Sequence, residues 1–192
     1  KDTVLNHHDL LKPTEDAGED ARRKGEGMFL NTDFLRTEEI QLILEKTAPG
    51  DEKRDWLPAY HFFICDRDGN KMGQCDLRIG HNEGVYYGGN IGYRVEEPFR
   101  VHHYAAKACR LLFELAEKHE LDYLIITCNP DNLPSRKTCE YAGGRLVEIA
   151  ELPPDNDMRL ESGETQKCIY RFELGGRGNT GERGNDKGRS ES

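Results

Sequence analysis

The sequence predicts an α+β domain, with a central mixed, mostly antiparallel sheet and flanking helices. Three observations lead there. The first half carries short strands parted by turn clusters. One amphipathic helix occupies the middle, and a continuous apolar strand with a capped helix follows it. In chain order, Ile40, Leu42 and Leu44 alternate as in a strand, although Ile40, Ile43 and Leu44 also fit a short helix. Pro49-Gly50-Asp51 breaks the chain there. Tyr60 to Cys65 is aromatic-rich and reads as a strand. Asp66-Arg67-Asp68-Gly69-Asn70 reads as a turn leading into a strand from Gly73 to Ile79, with Cys75, Leu77 and Ile79 on one face. Gly80 to Gly89 reads as a loop and Asn90 to Val95 as a further strand. Consecutive strands of this kind form a meander.

The second half changes period. Ala105, Ala108, Cys109, Leu112, Leu115 and Ala116 recur at helical spacing, and Lys118 and His119 suit the negative end of that helix. Tyr123 to Cys128 is apolar almost throughout, as in a strand covered on both faces. Asn132 suits an N-cap, Pro134 a first turn and Gly143-Gly144 a helix stop. The strand ending at Val95 and the strand Tyr123 to Cys128 are therefore expected to run parallel, joined by the crossover helix. Two more strands, Arg145 to Leu152 and Lys167 to Leu174, are separated by a polar, loop-like link.

Composition bounds the rest. The chain has 192 residues, of which 35% are hydrophobic. Residues 1–27 and 175–192 hold too few large apolar groups to offset ordering entropy, so a polar N-terminal tail, a single domain at 28–174 and a disordered C-terminal tail are expected. The six cysteines form no C-x-x-C pair and mostly sit in apolar runs, which fits buried thiols in a reducing compartment. No stretch approaches the ~20 apolar residues of a membrane span, and no secretory h-region is seen. A cytoplasmic protein without membrane partners is expected. A formal net charge of −9 argues against nucleic-acid binding and mildly favours a cationic or amine-bearing partner. His7-His8 lacks further spaced ligands, and no metal is expected.

The chemistry concentrates between Gly89 and Gly144. A strand ends at Val95, a short turn follows, and Arg100-Val101-His102-His103-Tyr104-Ala105 opens the long helix. The unpaired N–H groups and positive dipole end of a helix start form an anion site, and Arg100 adds a permanent charge suited to phosphate. An ordinary solvated helix start is the plain alternative. This stretch resembles the core of the GNAT N-acetyltransferase superfamily. The family's phosphate loop, Gln/Arg-x-x-Gly-x-Gly/Ala, is matched by Arg100 in the first position and Ala105 in the last, with Tyr104-Ala105 as the frequent Tyr-Ala ending. IGYRV, Ile91 to Val95, is similar to the strand that lines the pantetheine arm. NPDNLPSRKTCEYAGG is similar to the downstream strand–helix element, with Asn132 and Ser135 at its Asn and Ser positions. Leu57 to Tyr60 and Leu152 to Met158 resemble segments of a narrower bacterial group of acetyltransferases, some of which carry a tagatose-bisphosphate aldolase label. That aldolase activity is not expected, because its barrel takes ~250 residues of repeating strand–helix units.

The resemblance implies a GNAT-like acyl-CoA N-acyltransferase fold and transfer from acetyl-CoA to an amine within a ternary complex. It implies a cofactor site of Val95, Arg100, Val101, His102, His103, Tyr104, Ala105, Asn132 and Ser135, in which the Val95 backbone polarises the thioester carbonyl. Two departures stand out. His103 occupies the position of a loop glycine, and Cys139 that of the helix tyrosine proposed to protonate the leaving thiolate, with Tyr141 two residues on. Cys139 is thus the candidate acid, although an inner-face packing residue is the plain reading. His61, His81, Asp76 and Glu83 are candidate bases by type alone. Arg136 and Lys137 are candidates for the nucleotide phosphate. There is little room between Lys46 and Tyr60 for the family's usual pair of helices, so the acceptor, a small-molecule or peptide amine, is not specified. A monomer or homodimer is expected. The rival reading is a module that binds acyl-CoA or a metabolite without turnover.

Overall fold

The computed structural model describes residues 28–175. Apart from Gly175, the two expected tails lie outside the described residues, as does the His7-His8 pair. Four strands, β1 (Ile40–Ala48), β2 (Ala59–Asp66), β3 (Lys71–Arg78) and β4 (Ile91–Val95), form an antiparallel meander in the order β1-β2-β3-β4. The strand reading prevails over the helical one at β1, with Ile40 and Leu42 buried and Ile43 exposed, but Leu44, the third of the alternating set, is exposed next to a register shift. The β2–β3 hairpin follows from its turn chemistry. Asp66 Oδ1 accepts the N–H groups of Asp68 and Asn70, and Gly69 takes φ +88°. The Asn70 side-chain amide joins them, and these bonds hold the Asp66 carboxyl below its ordinary range.

One face of this sheet presents Tyr60, Phe62, Ile64, Cys75 and Leu77, all buried. Helix α2 (Tyr104–Lys118) covers it with Ala108, Cys109, Leu112, Leu115 and Ala116, the stripe that the helical spacing predicts. No α-helix separates β1 from β2. The connection holds a 3-10 turn at Glu52–Arg54, capped by the Asp51 carboxylate.

The second sheet is antiparallel and three-stranded. It consists of β5 (Tyr123–Cys128), β6 (Arg145–Glu151) and β7 (Gln166–Glu173), in the order β5-β7-β6. Helix α3 (Leu133–Tyr141) follows β5, its first turn capped by Asn132 accepting the Ser135 N–H. Two short helices occupy segments that read as loops, α1 (Glu83–Gly88) and α4 (Asp157–Ser162). Each starts on an asparagine cap, Asn82 and Asn156, and α1 is anchored by buried Val85. At six residues each, they are too short for periodicity to reveal them.

The expected parallel pairing of β4 with β5 is not a ladder, because the two strands belong to different sheets. Their junction is a single residue. Asn90 is wholly buried, donates its N–H to Ile125 O (2.7 Å) and accepts the Ile125 N–H on Oδ1 (2.9 Å). Its Nδ2 donates to Arg78 O (3.0 Å) and Gly80 O (2.8 Å). Gly89 precedes it at φ +83°, where a Cβ would lie 3.2 Å from Thr127 N. Beyond this staple β4 forms a ladder only with β3 and β5 only with β7, so the two strands lie near each other without pairing and their facing edges part. A common core still joins them, with Ile91, Leu112, Leu124, Ile126, Tyr170 and Phe172 in one buried cluster.

Candidate functional site

The gap between β4 and β5 is lined by backbone. Arg78 donates its N–H to Asn90 O (2.7 Å) and Glu96 donates to Met72 O (2.9 Å), which fixes the phase of the β3–β4 ladder. Hydrogen-bonded and non-hydrogen-bonded pairs alternate, so Ile91, Tyr93 and Val95 direct their N–H and C=O groups away from β3. Such groups suit an amide-bearing chain lying between the strands.

At the far end of β4, Arg100 folds back and its Nε donates to Val95 O (3.1 Å). The loop then enters α2 through two left-handed residues, Val101 at φ +65° and His103 at φ +60°. The glycine position of the family loop is thus occupied by histidine in the conformation glycine favours. His103 is the N-cap of α2 but makes no side-chain cap hydrogen bond, and no acidic residue lies in the first turn. The side chains of Asn82, Asn132 and Asn156 all cap their helices. The longest helix therefore starts without a side-chain acceptor for its N–H groups, beside a left-handed concavity of backbone amides, and this combination favours anions. Arg100, Val101, His102 and His103 are exposed, and Tyr104 and Ala105 half-buried.

Helix α3 packs against α2. His103 stacks on Tyr141 with ring centroids 3.9 Å apart, and Arg110 lies over the same ring while its Nη2 donates to Tyr141 O (2.8 Å). At the start of α3, Ser135 Oγ lies 2.8 Å from the Tyr93 hydroxyl, which reaches across from β4. The structure thus joins Arg100 to Val95, His103 to Tyr141 and Ser135 to Tyr93. Asn132 acts as the helix cap. Arg136 is turned inward, its Nη1 donating to Pro130 O (3.2 Å) and its Nε to the Tyr170 hydroxyl (3.4 Å), so it does not project toward a phosphate. Lys137 is exposed.

Cys139 is wholly buried on the inner face of α3. Its thiol is pushed far above its ordinary range, first by hydrogen bonding to Cys128 and then by burial. Cys128, the last residue of β5, is lowered by the same bond, and Ser135, Arg136 and Lys167 add to the effect against its burial. Directly opposite Cys128 across the ladder stands Cys168.

The candidate bases separate. His61 and Asp76 are directly opposite each other on β2 and β3, and both are buried. Asp76 Oδ1 accepts the Gly92 N–H (3.0 Å) and Arg78 Nη1 (3.2 Å). A Cβ on Gly92 would lie 3.1 Å from Asp76 Oδ2, so the row His61–Asp76–Gly92 ends at the gap without a side chain on β4. His81 stacks on Tyr123 (4.0 Å) and is held below its ordinary value by desolvation, then by Arg171. Glu83 is exposed at the start of α1. Sequence reasoning missed the bridging role of Tyr93 and the staple at Asn90. Alternation along IGYRV, which sets Tyr93 on the same face as buried Ile91, was the available signal for the former.

Among the described residues, no group of three or more His, Cys, Asp or Glu side chains is placed to hold a metal ion. Nor is any helix there long and apolar enough to cross a membrane.

Comparison with known proteins addresses the family. No curated protein matches the chain. Among solved structures, similarity extends to a GNAT-family acetyltransferase from Bacillus anthracis (18% identity, 59% of this chain and 65% of that one, TM-score 0.46). It extends also to the microcin self-immunity acetyltransferase MccE in complex with acetyl-CoA and AMP (21% identity, 60% and 61%, TM-score 0.46). A third is a ribosomal-protein alanine acetyltransferase from Vibrio fischeri (15% identity, 60% and 61%, TM-score 0.46). The match spans less than two thirds of each of these chains. The family model for the acetyltransferase (GNAT) domain matches residues 24–145, more than half of the sequence. By that match, the chain belongs to the GNAT acetyltransferase family.

Proposed function

We propose that the protein is an acetyl-CoA-dependent N-acetyltransferase whose acceptor is a small-molecule or peptide amine. The observation that carries this reading is the uncapped start of α2, with Arg100 and two left-handed residues before it, beside the gap between β4 and β5. The diphosphate of acetyl-CoA would lie against the backbone of Arg100 to Ala105, where N–H donors and the helix dipole favour negative charge. The pantetheine arm would follow the outward-facing amides of Tyr93 and Val95. A thioester carbonyl directed at such an N–H is polarised without any side chain. MccE, in its complex with acetyl-CoA and AMP, gives a family precedent for the cosubstrate.

The acceptor must present a neutral amine. Its lone pair attacks the thioester carbonyl, the C–S bond breaks and the amine proton is lost. The His61–Asp76 row, reaching the gap at Gly92, is the group best placed to receive that proton. Two measurements test the reading. CoA and acetyl-CoA should raise the melting temperature, since a ligand at 100 times its Kd adds about 2.7 kcal/mol. Thiol release from acetyl-CoA should then depend on a member of an amine panel. No thermal shift with either ligand would remove the reading, and a shift without amine-dependent release would reduce the protein to a binder.

A further inference from the structure

Alternation along β3 and β4 divides their side chains between two faces. Cys75 and Leu77 are buried in the common core, so Gln74 and Arg94, directly opposite each other, belong to the other face. There a recess of about 240 Å³ is lined by Lys71, Gly73, Gln74, Arg94 and Glu96. Sites for drug-sized ligands take about 300–1,000 Å³, so this one suits a molecule of few heavy atoms. Its place is set by the ladder. Gly73 stands opposite Val95, and Arg94 and Glu96 flank Val95 in the chain. The recess therefore adjoins the backbone group assigned above to the thioester carbonyl. The His61–Asp76 row ends at Gly92, two residues from Arg94 on the same face, so the proposed base borders it as well.

The charges in the recess are unengaged. Among the described residues, the Arg94 and Glu96 side chains have no hydrogen bond or ion pair. Arg78, further along the same face, is by contrast held by Asp76 and by Gly89 O. Lys71 Nζ sits 4.3 Å from the centroid of the Phe63 ring. A guanidinium and an ammonium lining one recess repel each other and attract an anion. Their convergence runs against the chain as a whole, whose formal net charge is −9. Arg94 and Glu96, two residues apart on extended backbone, set opposite charges about 7 Å apart.

We propose that this recess is the acceptor site, and that the acceptor is a small amine carrying an acidic group, carboxylate or phosphate, within about 7 Å of its nitrogen. Arg94 and Lys71 hold the acidic group, Arg94 through its fork of donors and Lys71 as a point charge. Glu96 draws the protonated amine toward Val95 before it loses its proton. The proposal rests on the acyl-CoA reading above and adds the class of acceptor to it.

Four amines in two matched pairs test it, β-alanine against β-alaninamide and phosphoethanolamine against ethanolamine. In each pair the neutral member has the less basic amine, so easier deprotonation cannot explain a preference for the acid. Thiol release from acetyl-CoA is followed at varied amine concentration. At least one acidic member should exceed its neutral partner about tenfold in kcat/KM, and the pair that responds tells carboxylate from phosphate. Arg94→Gln should reduce that preference about tenfold, through the KM of the acidic member with little change in kcat, and Arg94→Lys should restore part of it. Equal rates within both pairs, or a preference untouched in Arg94→Gln, overturns the proposal. Release with none of the four overturns it as well, while the acyl-CoA reading is judged separately, by the thermal shift with acetyl-CoA. Circular dichroism checks the fold, and if Arg94→Gln does not fold, Lys71→Gln replaces it with the same expected loss.

Discussion

Val101 is a β-branched residue at φ +65° with 93% of its surface exposed, in the loop that leads into α2. Its side chain contributes almost nothing through burial, so replacing it with glycine isolates the backbone term. The left-handed conformation costs an L-residue about 1–2 kcal/mol. Glycine removes that cost but brings about 0.5–1 kcal/mol of extra unfolded-state entropy. The difference predicts that Val101→Gly stabilises the protein by about 0.5–1 kcal/mol. In a chain of this length, 1 kcal/mol corresponds to about 2–4 °C. Calorimetric melting and urea unfolding would measure it. CoA affinity should move the opposite way, because glycine lets the loop sample conformations in which its amides no longer converge. His103→Gly is the internal comparison. It gains the same backbone relief at φ +60° but loses the stack on Tyr141, so its gain should be smaller. A Val101→Gly protein that melts at or below the parent temperature would refute the claim that this loop stores strain.

Other expectations follow from the same geometry. Arg100→Glu should weaken CoA binding by about ten- to hundredfold, since a charge-assisted hydrogen bond is worth about 1.5–3 kcal/mol, and calorimetry would show it. Asn90→Ala should destabilise by about 3 kcal/mol in urea unfolding, because the buried Ile125 N–H and the half-buried carbonyls of Arg78 and Gly80 lose their partner. Cys139→Ala should cost less than about tenfold in kcat at saturating acetyl-CoA, below the range typical of a lost general acid, because the thiol is enclosed and engaged with Cys128. Burial holds His119 below the ordinary histidine value, so the unfolded chain binds that proton more readily. Its contribution is fully present above the unfolded value near ~6.5 and is lost as pH falls through that value toward the folded one. Melting scans between about pH 7.5 and about pH 5.5 should therefore fall less steeply for His119→Gln than for the parent.

The strands and the two longer helices were legible because their signals are local. The stripe from Ala105 to Ala116, the cap at Asn132 and the turn at Asp66–Asn70 each act within a few residues of themselves. The break between the sheets was not legible. It depends on Asn90, which in the sequence is simply the polar residue before a strand, yet in the fold bonds to residues as distant as Ile125. The helices α1 and α4 escaped for the opposite reason, being too short to show a period. At the groove, the loop from Arg100 to Ala105 was visible through its motif, but the left-handed backbone at Val101 was not, since valine is among the residues least associated with it. Tyr93 was quoted as part of a strand; its partner on α3 is a matter of tertiary approach.

All six cysteines are unpaired and buried, spread over β2, β3, α2, β5, α3 and β7. A thiol in such a place reacts with a maleimide only when its surroundings open, so the molecule carries a set of intrinsic clocks for its own breathing. Cys65, at the end of β2 near the Asp66 turn, times the opening of a hairpin. Cys109, at the centre of α2, times the loss of the shared core. Cys128 and Cys168, opposite each other, time the second sheet. A ligand that clamps the groove would slow the Cys128 and Cys139 clocks while leaving that of Cys65 running, and mass spectrometry of the labelled peptides would locate the clamp without any chromophore or crystal.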